Sequence, residues 1–523
     1  MPNKKKYAVI DVFAGPGGLN EGFAQRRNAF GPFVSIEKDP VACQTLTIRK
    51  VFHLIKCKDQ FSQNDYLDLI KEKEGLDKFL NDPNNISIKK IVKSSVWNHE
   101  LGTEDLAKTC KEVKKRLKSQ GWKDDKKGND LVLIGGPPCQ AYSLAGRSRR
   151  AQLHKSGRYK PELDKRNFLY QKYLELVSEF KPAIFIMENV PGILTAKVNN
   201  ERIFTKVLED LSNPSNSNKS KRLEYTLFPL TKANDFFQKD TDFNINCELY
   251  GVPQSRKRVI IMGIRSDLDL EHIPRLEKKE AINLEEALIG LPELRSGISR
   301  KNNSRVLDSE AMWKQAVTSW DKKLLKSTDP YLRKHLNQVF KVILNKDYPF
   351  ERGGEIVKKT KVKNTCNLKT TLSEWIIDNS LEFHLNCSSR GHMDSDLKRY
   401  IYNSVYAESK GKAPLLKNYP EKLLPNHRSR KVGHQDRFRT LLTDKPAPTI
   451  TSHISKDGHA FIHPDPLQCR SLTVREAARI QSFPDNYFFS GNRTQQYTQV
   501  GNAVPPYLAF QISDIVANIL RRL

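Results

Sequence analysis

Short apolar runs that each stop at a turn restrict the fold of this chain more than any other feature. Tyr7-Ala-Val-Ile-Asp-Val-Phe13 runs into a glycine-rich turn and then a helical stretch from about Leu19 to Gln25. Phe33–Ile36 stops at Glu37, and Pro40, placed for a first helical turn, opens a second helix to about Arg49. Asp130–Ile134 stops at Gly135-Gly-Pro-Pro, and an amphipathic stretch follows at Phe168–Phe180. Pro182–Met187 stops at Glu188, and Val259–Ile264 reads as a further strand. Runs of four to seven apolar residues are too short for buried helices and suit strands covered on both faces. Alternated with helices, they predict an α/β fold: a doubly wound, mostly parallel sheet of Rossmann-like type, with its sites at the carboxyl ends of the strands.

Length and charge divide the chain further. With 523 residues, two lobes plus insertions are expected. Between 295 and 440 there are 30 Lys and Arg against 15 Asp and Glu, so just over half of the formal net charge of +28 falls there. That stretch reads as a separate, smaller basic lobe, and an excess of this size implies a polyanionic partner or an acidic membrane surface. Residues 53–128 are polar and less periodic, and they read as a mostly helical insertion. No run of about 18 apolar residues appears and the first residues do not resemble a secretion signal, so a cytoplasmic protein without a membrane span is expected. Eight scattered cysteines without a Cys-x-x-Cys pair argue against zinc ribbons and a disulfide framework; no metal is expected. Most of these thiols read as small buried hydrophobes.

Four constellations carry chemistry. In Asp11-Val-Phe13-Ala-Gly15-Pro-Gly17-Gly18-Leu19-Asn20, glycines after a strand let a cofactor approach the backbone, and Glu37 follows 22 residues after Gly15, where an acid accepts hydrogen bonds from ribose hydroxyls. An ordinary tight turn or a dinucleotide site reads similarly, although the third glycine of the dinucleotide fingerprint is missing. In Gly135-Gly136-Pro137-Pro138-Cys139-Gln140, a rigid entry leads to a cysteine at a strand's end, a poor place for a structural thiol and a good one for a nucleophile. Glu188, in Met187-Glu-Asn-Val190, would share the sheet edge with Cys139. There a partly desolvated carboxyl can stay protonated and donate a hydrogen bond, or it is an exposed acid before a turn. Arg256 and Arg258 are two apart, so on an extended chain they point the same way and form a fork for an oxygen or phosphate, or a solvated basic pair.

In this order, the four resemble the motifs of the cytosine-5 DNA methyltransferase family, of the bacterial restriction-modification type. Phe13, Gly15 and Gly17 match its cofactor loop, Pro-Pro-Cys-Gln its nucleophile motif, Glu-Asn-Val its acid motif and Gln-x-Arg-x-Arg its base-contact motif. Arg470–Asp485 and Gln499–Pro506 are similar to its last two motifs, and Asp164-x-Arg166-Asn167 to its mobile loop. One departure stands out. The family's third strand ends in an Asp that touches adenine; here that strand is expected at Lys90–Ser95 with no Asp at its end.

The resemblance implies a catalytic domain over 1–270, a target recognition domain over 271–445, and a return to the catalytic domain over 446–523. It implies S-adenosyl-L-methionine as methyl donor, held by Phe13, Gly15, Gly17, Gly18, Leu19, Glu37, Lys38, Pro137, Asn502 and Val504. It implies Cys139, Glu188, Arg256 and Arg258 as catalytic residues acting on a flipped-out cytosine in double-stranded DNA. The loop from Ser143 to about Arg166 would close over that base. Arg147, Arg166, Thr449, Arg390, Arg428 and Arg430 are the expected DNA contacts, with the 211 residues between Arg258 and Arg470 leaving room to read several base pairs. A C-terminal helix, about Tyr507 to Leu520, would pack in the layer of the first strand. A monomer is the family default, and a cognate restriction endonuclease is the expected functional partner. A transfer RNA cytosine-5 methyltransferase, a catalytically inactive DNA-binding paralogue and a nicotinamide oxidoreductase are the competing readings. The long basic lobe opposes the first, the intact Cys139, Glu188, Arg256 and Arg258 the second, and the missing glycine the third.

Overall fold

The structure is a computed structural model that describes residues 6–57, 62–71, 74–124, 128–138, 167–198, 201–214, 223–231, 239–268, 273–299, 308–345, 351–359, 371–425 and 436–522. Contacts divide the chain into two compact units, one of residues 1–251, 256–280 and 503–523, the other of 252–255 and 281–502.

The first unit is built on the expected sheet. Its strands are β1 (Tyr7–Val12), β2 (Phe30–Glu37), β3 (Val96–Asn98), β4 (Leu131–Gly135), β5 (Ile184–Asn189), β6 (Tyr225–Phe228), β7 (Asn244–Asn246) and β8 (Lys257–Arg265). They lie in the order β3-β2-β1-β4-β5-β8-β6, with β7 also paired to β8. β1 to β5 run parallel, and β8 is antiparallel to β5, β6 and β7. Strand order reverses beside β1, so the crevice at the carboxyl ends of β1 and β4 is where a ligand is expected in such a sheet. Ala8–Val12 and Leu131–Ile134 are buried throughout, as strands covered on both faces must be.

Local chemistry sets the helices. Asp39 caps α2 (Pro40–Ile55): its carboxylate accepts from Val41 N at 2.9 Å, and Pro40 takes the position where no amide is needed. α1 (Gly18–Ala24) packs on the C-terminal helix, which spans Pro506–Leu520 and buries Leu508, Ile512, Ile515, Val516 and Ile519. The Tyr7 hydroxyl donates to the Leu520 carbonyl at 2.5 Å, fastening that helix to the start of β1.

Two expectations change here. Lys90–Ser95 is not a strand: it closes a helix, α3 (Ile86–Ser95), whose Ile88 and Val92 are buried at a spacing of four. The third strand is Val96–Asn98, directly after it. Residues 53–128 are also more than an insertion, because they supply this edge strand and α4 (Leu106–Ser119), the crossover between β3 and β4.

The second unit has its own core, in which Trp313, Leu336, Tyr400, Ile401 and Val405 pack with Ile462 and Cys469. Residues 446–502, assigned from sequence to the catalytic domain, group with this unit, since Ile462 and Cys469 belong to the core of the helices before them. One helical stretch, Arg493–Leu520, is long and apolar enough to cross a membrane, but 72% of its most apolar window is buried inside the protein and it breaks at 503–505.

Candidate active site

The glycine loop follows β1 at the carboxyl edge. Phe13, Gly15 and Gly17 take φ of 57°, 55° and 90°, a left-handed path that strains Phe13 and suits the glycines. Leu19 turns into the core. Glu37, ending β2, holds the loop: its Oε2 accepts from Gly15 N at 2.8 Å and its Oε1 from Asp39 N at 2.9 Å. The exposed Lys38 meets Glu100 at 3.3 Å. A Cβ at Gly18 would stand 2.2 Å from the Val504 carbonyl, so only glycine lets α1 start against that loop. Val504 is buried, and Asn502, in the other unit, is exposed at the end of Arg493–Asn502.

Below this loop lies a group that sequence reasoning passed over. Asp11 is buried in β1, and its Oδ2 has no hydrogen-bond partner. Burial raises its pKa well above the usual carboxylate range, and the nearby Glu37 charge adds to the effect. Read as one apolar run, the strand hides this acid.

β4 ends at Gly135, which pairs with Val12 of β1 and Met187 of β5. The backbone then passes Glu188 so closely that a Cβ at Gly136 would lie 2.8 Å from Glu188 Oε2. Pro137 is buried, and its carbonyl lies 3.5 Å from Asn189 Nδ2. Cys139, and with it Arg147, Arg166, Arg428 and Arg430, lies outside the described residues. Glu188 meets Arg258 at 2.6 Å, between Oε1 and Nε, with 14% and 12% of their side chains exposed. The acid thus faces a guanidinium rather than apolar surroundings, a charge-assisted contact that fixes both groups.

The expected fork of Arg256 and Arg258 is not formed. Arg256 sits between two strands, Gln254–Ser255 and β8, and its side chain is wholly buried, donating from Nη2 to the Ala503 carbonyl at 2.9 Å. Burial, helped by the Arg258 charge, lowers its pKa to about 9. Alternation along an extended chain fails because the chain changes strand at this residue. Arg390, expected on DNA, is buried as well: its Nη2 donates to the carbonyls of Ile454 and Ser455. Thr449 donates its hydroxyl to the Ser255 carbonyl at 2.7 Å, alongside the pairing of Ala447–Pro448 with Gln254–Ser255. Within Arg470–Asp485, Arg470 pairs with Glu476 and Arg479 with Asp485, all buried; this motif holds the second unit together.

Comparison with known proteins follows the same lines. The family described as C-5 cytosine-specific DNA methylase matches residues 107–517. The Type II methyltransferase M.Bpa9945I of Bacillus paralicheniformis is 31% identical over 520 residues, covering 98% of this chain and 99% of its own. M.DdeI of Desulfomicrobium norvegicum, also a Type II methyltransferase, is 25% identical, covering 97% of this chain and 88% of its own. A crystal structure described as a DNA modification methyltransferase encoded within an E. coli prophage shares the fold with a TM-score of 0.50 and 18% identity, covering 99% of this chain and 100% of its own.

Proposed function

The chain belongs to the C-5 cytosine-specific DNA methylase family, and from that premise we propose that it methylates carbon 5 of a flipped-out cytosine in a specific duplex sequence, with Cys139 as nucleophile. The observation that carries this reading is the Glu188–Arg258 pair, 2.6 Å apart, set against the Gly136 backbone three residues before Cys139.

The family's methyl donor is S-adenosylmethionine, which supplies an electrophilic methyl group on a sulfonium sulfur. The loop after β1 suits such a ligand. A Cβ at Gly15 would meet nothing within 4 Å, which leaves room for a ligand against the backbone, and the Glu37 carboxylate stands beside that amide. Phe13, Gly15, Gly17, Gly18, Leu19, Glu37, Lys38, Pro137 and Val504 would hold it, and Glu37 would accept from ribose hydroxyls.

The chemistry assigned to the chain's own residues follows. The Cys139 thiolate adds to carbon 6 of cytosine, making carbon 5 enamine-like and nucleophilic. Glu188 holds or supplies the proton at ring nitrogen 3, and Arg258, fixed by Glu188, contacts the carbonyl oxygen. Carbon 5 gains the methyl group, its proton is removed, and elimination returns the thiolate. Extrusion of the base is required because its carbon is stacked in the duplex. We assign closure over the base to the loop Ser143–Arg166, phosphate contacts to Arg147 and Arg166, and target reading to 271–445, including Arg428 and Arg430. The Type II relatives support a place beside a restriction endonuclease that cuts the same site, in the cytoplasm with the DNA.

The test is nucleoside mass spectrometry of unmethylated plasmid after incubation with protein and S-adenosylmethionine. Wild type is expected to yield 5-methyldeoxycytidine, and Cys139→Ser none while still binding DNA and cofactor. Turnover by Cys139→Ser would overturn the covalent mechanism; methylcytidine in transfer RNA alone would overturn the substrate.

A further inference from the structure

The helix that follows the glycine loop is too short to hold itself in place. α1 has seven residues, and Gly17, at its cap, offers no side chain to fix it; a helix of this length is marginal without tertiary contacts. The C-terminal helix packs on one side of it. On another, Glu21 reaches α2. The Glu21 amide donates to the Gly17 carbonyl at 2.8 Å and so closes the first turn of α1 onto the loop. Its carboxylate is buried, and both oxygens are saturated. Oε1 accepts from Arg49 Nη2 at 2.5 Å and from Gln25 Nε2 at 2.7 Å. Oε2 accepts from Arg49 Nε at 2.8 Å and from His53 Nε2 at 3.0 Å.

Arg49 and His53 stand four apart on α2, so they share a face, and both are buried. Against burial, which pushes it up, the Arg49 guanidinium brings the Glu21 carboxyl well below the usual carboxylate range, so Glu21 is charged. Burial, against the Glu21 charge, keeps the His53 ring neutral. One tautomer fits its neighbours. Arg27 Nη2 lies 2.9 Å from His53 Nδ1. A guanidinium only donates, so Nδ1 accepts and Nε2 carries the hydrogen given to Glu21. The two-pronged ion pair and the ring bond together leave Glu21 one position. α2 in turn starts just after Glu37, whose Oε2 accepts from Gly15 N. The loop and the acid beside it are thus continued by two helices that Glu21 ties together.

We propose that Glu21 is a positioning residue for the cofactor: anchored to Arg49 and His53, it keeps the Gly15–Gly17 backbone in its binding shape beside Glu37 before any ligand arrives. Glu21 is buried and meets no ligand itself. This role rests on the loop after β1 as the S-adenosylmethionine site. Without the anchor the loop leaves its binding shape for part of the time, and affinity falls with the fraction that remains competent. A bound cofactor restores that shape, so turnover at saturation is kept.

The test uses Glu21→Gln, which removes the charge at constant shape, and Arg49→Lys, which replaces a fork by a single ammonium. The control for lost stability is Val207→Ala, buried in a core cluster that contains no residue of α1 or α2. Each is first checked for a cooperative thermal transition, and binding is read at a temperature where all are folded. S-adenosylhomocysteine, which binds without turnover, is the calorimetric probe. A competent fraction reduced to about a tenth raises Kd about tenfold, and that rise is expected for Glu21→Gln, with kcat at saturation and DNA affinity within about twofold of wild type. KM for S-adenosylmethionine is expected to rise alongside Kd, and Arg49→Lys to show a smaller rise in both. Val207→Ala is expected to lower Tm and leave Kd unchanged. A Kd for Glu21→Gln equal to that of wild type, a rise matched by Val207→Ala, or a loss of kcat at saturation with KM unchanged overturns the positioning role alone. Should Glu21→Gln lose its thermal transition, Arg49→Lys decides by the same readings. A wild type that binds no S-adenosylhomocysteine overturns the loop as the cofactor site, and the positioning role with it.

Discussion

Glu188 and Arg258 each depend on the other's charge. Replacing the acid by its amide, Glu188→Gln, leaves a guanidinium with 12% exposure and no counter-charge, and removes the proton-holding group from the proposed chemistry. Loss of a positioned acid typically costs about 100-fold or more. The expected outcome is a fall in kcat of at least that order, with cofactor affinity by calorimetry changed less than about twofold; a kcat within threefold of wild type would remove Glu188 from the mechanism. Glu188 was legible in the sequence because it stands near the close of a strand, just before a turn. Its partner was legible only as a residue type. The spacing that predicts a shared face for Arg256 and Arg258 assumes one continuous strand, and the strand break at Arg256 sends that side chain to the Ala503 carbonyl instead.

At the scale of elements, the first helix and the last pack closely beside the glycine loop. A Cβ at Gly22 would lie 2.3 Å from the Ala509 backbone carbon, and backbone cannot move aside as a side chain can. Overpacking of this kind typically costs about 1–3 kcal/mol. Gly22→Ala is therefore expected to lower Tm by several degrees in a thermal melt. Because α1 opens at Gly17 and Gly18, the same variant is expected to weaken S-adenosylmethionine binding several-fold by calorimetry. Unchanged Tm and Kd would mean that the helices slide apart without consequence. The apolar pattern of Leu508, Ile512, Ile515, Val516 and Ile519 announced the buried helix; which helix it meets is not encoded in that pattern.

For the molecule as a whole, buried histidines set an acid limit. Burial holds His53, His384 and His463 at about 4, below the ordinary value of 6.5. As pH falls below 6.5 the unfolded chain takes up protons that the folded one refuses, so this stability is present above 6.5 and is lost as pH drops toward 4. Glu476, drawn down to about 2 chiefly by the Arg470 guanidinium against the effect of burial, extends the loss below its ordinary value of 4.5. Tm is expected to fall steadily from pH 7 to pH 4, and His384→Gln to flatten the slope above pH 4. A Tm independent of pH over that interval would show that these rings titrate freely when folded. The net charge of +28 sets a second expectation: DNA affinity falls steeply with added salt, measured by fluorescence anisotropy.

The sequence alone determined the class of fold, because apolar runs of strand length interrupted by glycine and proline turns admit few other arrangements. It also gathered the proposed site residues at one edge, since Glu37 and Gly135 end their strands and Glu188 stands one residue before the end of its own. Tertiary structure decided what local pattern cannot carry. Val96–Asn98 became a strand because β2 offers it an edge, although Lys90–Ser95 looked the better candidate. Asp11 became a charge-averse acid because the fold buries it, and Glu37, distant in sequence, adds its charge nearby. Arginines indistinguishable in the sequence parted in the same way: Arg258 went to a carboxylate, Arg256 and Arg390 to buried carbonyls. A guanidinium's role depends on which acceptor the fold brings to it, and that acceptor lies hundreds of residues away in Arg256 and about 65 in Arg390.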